Sequence, residues 1–501
     1  MFAGYVCFIG AGPGNPGLIT RRGLEYFQWA DLVLYDQLIP VSLLLEVKKG
    51  CRMIEVGKQG GRPSWDQDAI NQLLITEAQA GQFVVRLKGG DPFLLGRGGE
   101  ETQALSEAGV PYIIVPGVSS SYAVPAYAGI PVTDRRFCSG VTVTTGHKSE
   151  AGIGRENTER VNTFVILMPL ANLKSIITGL IQQGWAAHTP AVVISQGTMP
   201  GQKLITGELA SLSDLVDKAA LSPPALLVVG DVVKLQETLS WNHHLPLAGK
   251  RILWTRAWGK DEPGKIKEFE LYGAEVVRFP TGIIQLAPLE QLKRSFSEIQ
   301  QYTWLLFTSS TAVEIFCQVL VELGWDWRQF ARSRIAVIGK KTGQAMAERG
   351  RIPDLTATDS NSDGLLSTIL KELTAGDSVS LCRARQTLPN LAKGLEEAGF
   401  SIKNFDLYEV AVPSYDSAVV WRIFSEPFDM VIHTSPSSVV NLREILSKAG
   451  CILNERTRFA CLGKETAKTC ERFGISPWLI PDEPDIEVLL DLILNELLKI
   501  R

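Results

Sequence analysis

The sequence predicts an α/β protein of several domains, and three observations carry that prediction. Short apolar runs alternate with longer helical patterns along all 501 residues, the pattern of strands separated by helices. One apolar, β-branched run, Phe83–Lys88, opens into a loop with five glycines between Gly89 and Gly99, and a helix-like run follows. Such a strand end brings bare backbone close to something. Finally, the second half contains an internal duplication at an offset of about 126 residues, too long for a solenoid repeat.

Composition narrows the classes. The chain is 45% hydrophobic and 21% charged, as soluble globular proteins are, and its net charge of −4 offers no global attraction to nucleic acid. The eight cysteines lie far apart, with no C-x-x-C pair and no Cys/His spacing for zinc, so reduced thiols and no metal centre are expected. No targeting segment precedes Val6 and no apolar run reaches the roughly 18 residues that span a membrane. A cytoplasmic protein is therefore expected.

In chain order, strands are expected at Val6–Gly10, Leu32–Tyr35, Phe83–Lys88, Tyr112–Val115, Val141–Thr145, Thr163–Met168, Ala191–Ser195 and Ala225–Val229. Each is a short apolar run bounded by turn residues. Helical stretches include Asp66–Ala80 and Asn172–Gln183. The polar stretch 242–247 ends near a proline and precedes a fresh strand at Arg251–Thr255, so it reads as a linker between residues 1–241 and 248–501.

The run Gly10-Ala11-Gly12-Pro13-Gly14-Asn15 follows the first strand. A dinucleotide loop of the G-x-G-x-x-G type needs glycine where Asn15 stands, and Pro13 and Pro16 remove amide donors that a phosphate cradle uses. The run instead resembles the opening of the tetrapyrrole methylases. So do Ala30–Asp36, Val56-Gly57-Lys58, Val85–Glu101, Val115–Ser121, Ala126–Thr133, Thr145-Gly146-His147, Gln196-Gly197-Thr198 and Pro224–Gly230, which together cover most of residues 4–241. Within that family the match is to uroporphyrinogen-III C-methyltransferases.

The resemblance implies two unlike α/β lobes with S-adenosylmethionine in the cleft between them, and a homodimer formed through this half. It implies that Pro13, Gly89, Gly90, Asp91, Leu94, Ser119, Ser120, Met168 and Gly197 line the cofactor site. A sulfonium gives up its methyl by in-line displacement, which asks for positioning and desolvation. Glycines at 89, 90 and 197 suit close backbone approach. Asp91 taken alone is as readily a loop cap, and Met168 taken alone is core filler. The nucleophile is an electron-rich pyrrole carbon, and Asp36 at a strand end is the expected stabiliser of the positive charge that develops. Lys58 and Arg86 are expected to hold substrate carboxylates, as are Arg97 and Arg135. Two departures touch substrate contacts: Thr133-Asp134-Arg135 stands where the family has Thr-His-Arg, and the loop after Lys58, with Pro63, lacks a histidine often found there.

In the second half, Gly249–Ala257 matches Gly376–Ala384, Thr308–Val313 matches Thr434–Val439, and Ile335–Thr342 matches Phe459–Thr466. These runs, with Gly399–Tyr408, resemble uroporphyrinogen-III synthase. The resemblance implies two α/β lobes, 248–283 plus 412–501 and 284–411, and no cofactor. Thr308, Ser309, Thr434 and Ser435 each follow a strand and precede a helix, and Thr342 and Thr466 sit in similar turns. Hydroxyls and free amides there suit the eight carboxylates of hydroxymethylbilane. Ordinary helix capping is the alternative at any single turn. Tyr408 matches a tyrosine thought to assist departure of the hydroxyl.

The whole chain is thus expected to cyclise hydroxymethylbilane with inversion of ring D and to methylate uroporphyrinogen III twice to precorrin-2. A methylase of another precorrin position, fused to a non-catalytic tetrapyrrole-binding module, stays open at this level, as does the pathway fed.

Overall fold

A computed structural model describes residues 4–57, 65–146, 162–256, 262–359, 362–385 and 390–499. Lys58, Pro63 and His147 lie outside the described residues. The chain divides into two compact units, one of residues Met1–Phe279 with Tyr415–Arg501, the other of Pro280–Ser414.

In the first unit, five parallel strands make sheet one: β1 (Tyr5–Gly10), β2 (Leu32–Tyr35), β3 (Arg52–Glu55), β4 (Phe83–Lys88) and β5 (Tyr112–Val115), in the order β3-β2-β4-β1-β5. Val6, Phe8, Leu32, Leu34 and Val84 pack one face against Ile70 and Leu74 of the helix Gln67–Gln79. Because the strands are parallel, their C-terminal ends, and the loops after them, gather along one edge. That edge carries Ala11, Asp36, Gly89 and Pro116.

Sheet two is mixed. Its strands are β6 (Val141–Thr145), β7 (Thr163–Leu167), β8 (Pro190–Ser195), β9 (Lys203–Glu208) and β10 (Ala225–Val229), in the order β6-β7-β10-β8-β9, with only β6 and β7 parallel. Antiparallel β10 starts at the edge where β7 and β8 end, so Met168 and Gln196, just past those ends, both hydrogen-bond to the chain entering β10 (Met168 N to Ala225 O, 3.2 Å; Gln196 N to Pro224 O, 2.8 Å).

The duplicated region builds two more sheets. Sheet three, also in the first unit, has β11 (Arg251–Trp254), β12 (Glu275–Arg278), β19 (Met430–His433), β20 (Arg458–Cys461) and β21 (Pro477–Leu479), all parallel in the order β12-β11-β19-β20-β21. Sheet four fills the second unit with β13 (Ile283–Leu286), β14 (Trp304–Phe307), β15 (Arg334–Val337), β16 (Leu355–Thr356), β17 (Ser378–Ala384) and β18 (Ser401–Ala411), in the order β13-β18-β17-β14-β15-β16. The sequence repeats are interleaved between these sheets. β11 opens the first repeat but pairs with β19 of the second, while β17 opens the second repeat but pairs with β14 of the first. Sequence similarity and compactness therefore divide this half at different places. The rings of Phe279 and Tyr415, which flank the inserted unit in sequence, stack at 4.6 Å.

Candidate functional site

The loops at the edge of sheet one are held by backbone contacts that only glycine permits. Gly90 has φ +66° and exchanges amide–carbonyl bonds with Gly12 (Gly90 N to Gly12 O, 2.8 Å; Gly12 N to Gly90 O, 3.3 Å), which ties the loop after β4 to the loop bearing Pro13. A Cβ on Gly117 would come within 2.1 Å of Gly90 O. Asp91 clamps the same region. One carboxylate oxygen accepts from Phe93 N and Leu94 N (2.8 and 3.1 Å), and the other from Gly117 N (2.9 Å). Both oxygens thus serve the loop's shape, the capping alternative seen in the sequence.

Sheet two reaches the same loops. A Cβ on Gly197 would strike Val124, in the helix Ser120–Tyr127, at 2.2 Å. Ser119 caps that helix, its Oγ accepting from Ser121 N at 3.2 Å. Asn15 N donates to Thr198 Oγ1 at 3.0 Å. Met168 is 43% exposed, so it is not core filler. Among the described residues, six non-glycine residues have left-handed φ, and five of them are Leu95, Arg97, Met168, Gln196 and Thr198 in these loops. Each such conformation costs roughly 1–3 kcal/mol and persists where the surroundings over-determine it, commonly at functional sites.

Beside the loops lies a buried charge network. Arg86 and Lys88 alternate along central strand β4 and so share a face. They are 2% and 4% exposed, and both reach Glu101, which is fully buried in the helix Gly98–Glu107. Lys88 Nζ contacts both Glu101 oxygens (3.1 and 3.0 Å), Arg86 Nε donates to one (3.2 Å), and Gln67 Nε2 adds a bond at 3.1 Å. Burial, and then the neighbouring Arg86, hold the Lys88 ammonium below its usual range. Arg86 Nη2 donates to Asp36 Oδ1 at 2.6 Å, and the Asp36 side chain stays 29% exposed.

This corrects the expectation that Arg86 holds substrate carboxylates: its guanidinium is enclosed and already engaged, and it orients Asp36 instead. The sequence gives no sign of this place for Glu101, although it stands in the same Val85–Glu101 run. An acid in a helix pattern looks solvated until its partners on a buried strand are known. Arg97 pairs with Glu100 on the surface (Nη2–Oε2 2.5 Å), and Arg135 is exposed. At the departure from the family pattern, Asp134 accepts from Arg136 Nε and Nη2, which lowers its carboxyl to about 2.

In the second unit, β14 runs into Thr308 and Ser309. Ser309 caps the helix Ser310–Glu322, its Oγ accepting from Ala312 N at 3.1 Å, and lies 3.3 Å from the Tyr408 hydroxyl on β18. Tyr408 is 7% exposed, and burial raises its phenol above the ordinary value. In the first unit, β19 runs into Thr434 and Ser435, and Ser435 caps the helix Pro436–Lys448 by accepting from Ser438 N at 3.2 Å. The two caps share backbone geometry, φ −163° and −160°, as the duplication requires. Thr342 and Thr466 are each 4% exposed. What their turns offer is a first helical turn whose glycine cap, Gly339 or Gly463, makes no side-chain capping bond. Among the described residues there is no group of acids, histidines and cysteines able to hold a metal ion, and no helix long and apolar enough to cross a membrane.

Two family models match the chain: tetrapyrrole (corrin/porphyrin) methylases over residues 5–213, and uroporphyrinogen-III synthase HemD over residues 265–491. The porphyrin biosynthesis protein HemD of Ruminiclostridium josui is 32% identical over 501 residues, 98% of this chain and 98% of that protein. The uroporphyrinogen-III C-methyltransferase of Bacillus subtilis (strain 168) is 33% identical over 475 residues, covering 93% and 92%. Among solved structures, uroporphyrin-III C-methyl transferase from Thermus thermophilus complexed with S-adenyl homocysteine is 34% identical with a TM-score of 0.40, and covers 46% of this chain and all (100%) of that one.

Proposed function

Since the chain belongs to the family that joins a tetrapyrrole methylase to a uroporphyrinogen-III synthase, a bifunctional enzyme of tetrapyrrole biosynthesis, we propose how its residues divide the work. Residues 1–241 carry the methyltransferase and 248–501 the synthase, with 242–247 as linker. S-adenosylmethionine supplies an electrophilic methyl group. The loops of Pro13, Gly89–Leu94, Ser119–Ser120, Met168 and Gly197 take it up. The supporting observation is the gathering of left-handed residues and glycine-only contacts in the loops past the strand ends of sheets one and two, a backbone suited to meeting a ligand without side chains between.

Asp36 works on the tetrapyrrole. As the pyrrole carbon attacks the methyl carbon and the carbon–sulfur bond breaks, positive charge spreads over the ring. A carboxylate fixed by Arg86 stabilises that charge without having to reorganise. Arg97 and Arg135 remain exposed cations suited to the substrate's acid groups.

The synthase half uses no cofactor in this proposal. Thr308 and Ser309, and likewise Thr434 and Ser435, offer hydroxyl hydrogens to substrate carboxylates, while the oxygens of the two serines cap helices. The open first turns at Gly339 and Gly463 offer amides. Tyr408, kept protonated by burial and set beside Ser309, donates to the departing hydroxyl. The enzyme works in the cytoplasm as a homodimer formed through the methyltransferase half, a state that sedimentation would test.

The whole reading is tested by incubating the full chain with hydroxymethylbilane and S-adenosylmethionine and weighing the product. Precorrin-2 is expected. A product with no added methyl, or one methylated at another position, would overturn the methyltransferase assignment. Accumulation of the type I isomer alone would overturn the synthase assignment.

A further inference from the structure

The geometry points to Arg422, in the synthase half, as a positioning residue for methyl transfer in the other half, acting on the backbone around Asp36. The inference rests on the reading of Asp36 given above. Arg422 lies on the helix Ser417–Phe424 with 14% of its side chain exposed. Its Nη2 donates to the main-chain carbonyl of Gln37 at 2.6 Å, its Nη1 lies 3.7 Å from Glu55 Oε1, and its guanidinium carbon sits 5.8 Å from the centre of the Tyr35 ring. These three residues bracket Asp36: Tyr35 precedes it, Gln37 follows it, and Glu55 is the β3 partner of Tyr35 in the parallel register.

The other side of the bracket is closed by close packing. A Cβ on Gly57 would lie 2.6 Å from Gln37 N, so Gln37 rests directly on the backbone of Gly57. The next residue, Leu38, lies against Gly89, its Cβ 3.6 Å from where a Cβ on Gly89 would stand. The segment after Asp36 is therefore held between the backbone of the methyltransferase half and a charged hydrogen bond from the synthase half. The same helix packs on the 3-10 turn Val41–Leu45, which continues that segment. Two arginines then share the task. Arg86 orients the carboxylate of Asp36, and Arg422 fixes the main chain from which it projects. A charge-assisted bond to a carbonyl is stronger than a neutral one, and small misplacements of a catalytic group are costly.

The test is steady-state methyl transfer on uroporphyrinogen III supplied directly, with Arg422→Ala, Arg422→Lys, Asp36→Asn and the double change Asp36→Asn/Arg422→Ala. Arg422→Ala should lower kcat roughly ten- to hundredfold. The affinity for S-adenosylmethionine, by calorimetric titration, should stay within about twofold. Arg422→Lys keeps a charged donor and should recover part of the rate. Because Arg422 acts through Asp36, the double variant should be no slower than Asp36→Asn alone. An unchanged kcat in folded Arg422→Ala, or two losses that multiply in the double variant, overturns the inference. If Arg422→Ala does not fold, Arg422→Lys carries the comparison, and parental kcat there overturns it equally. Parental activity in Asp36→Asn would instead sink the reading of Asp36 itself, a separate failure with its own signature.

Discussion

The loops of the methyltransferase half and the turns of the synthase half are built from opposite kinds of backbone. The first set strains five non-glycine residues into left-handed φ, puts Gly90 at φ +66°, and packs Gly117 and Gly197 where no side chain fits. The second set uses extended residues, Ser309 at φ −163° and Ser435 at φ −160°, in helix caps that any soluble protein can contain. A strained loop accepts few residue types, so its sequence must be dense and specific. A helix cap accepts Ser, Thr, Asp or Asn, so its sequence can drift. Geometry thus accounts for the long, unbroken signature in one half and the thin one in the other.

The sharpest way to break this contrast is Gly90→Leu. At φ +66° a leucine costs roughly 1–2 kcal/mol, and its side chain enters the space that the backbone leaves for the cofactor. Calorimetric titration should show no S-adenosylmethionine binding, while cyclisation of hydroxymethylbilane continues. Unchanged affinity in the folded variant would move the cofactor elsewhere.

Next in size is Asp36→Asn. The amide neither takes a proton nor stabilises positive charge, so single-turnover methyl transfer should slow by about 10²–10⁴-fold with cofactor affinity retained. Equal rates would leave Arg86 orienting a group with no part in the reaction.

The turns of the synthase half should respond more gently. Ser309→Ala and Ser435→Ala each remove a cap worth about 1 kcal/mol to stability. If these hydroxyls also meet substrate, each lost bond to a carboxylate adds roughly 1.5–3 kcal/mol to binding. The double variant should then raise KM more than either single change and release more type I isomer. A lower melting temperature with parental KM and isomer ratio would leave both serines as caps only.

The smallest effect expected is a pH dependence of folding. His433, at the end of β19, is 1% exposed, stacked 6.2 Å from Phe459, and lowered by burial to about 3. The unfolded chain takes up this proton near pH 6.5, the folded one only near 3. Between those values the unfolded state binds more protons, so His433 costs stability as pH falls, by at most about 1.4 kcal/mol per unit. Urea melts from pH 7 to pH 5 should show a shallower decline for His433→Gln than for the parent. Parallel declines would mean that the histidine titrates alike in both states.

Much of this architecture was legible. The eight strands named from the first half all form, within a residue or so of the expected ends. Edge strands β3 and β9 were not read, because Arg52–Glu55 and Lys203–Glu208 are half exposed and lack a continuous apolar run. The mixed topology of sheet two was equally silent, since apolar strands look alike in either direction. Asp36 and the glycine loops could be named from their motif. The burial of Arg86, Lys88 and Glu101 could not, because the two cations meet Glu101 and Asp36 only after β4 has been covered by its helix. The second unit spans Pro280–Ser414, against the expected 284–411, and it is the interleaving of repeats that detaches it from the continuous sequence.

That interleaving sets an order of events on the ribosome. β11 and β12 emerge early, yet the neighbour that covers β11, β19, lies about 176 residues further along and at ~5–20 residues per second arrives roughly ten to thirty-five seconds later. Meanwhile residues Pro280–Ser414 leave the tunnel as one continuous stretch with every strand of its own sheet. The second unit therefore matures first, and sheet three, which began earlier, is finished last, after Tyr415 has come back to Phe279 and β19, β20 and β21 have followed. Chains arrested so that Ser414 has left the tunnel and β19 has not should resist protease across 280–414 and be cut around β11. Uniform protection of both would show that the nascent chain follows another order.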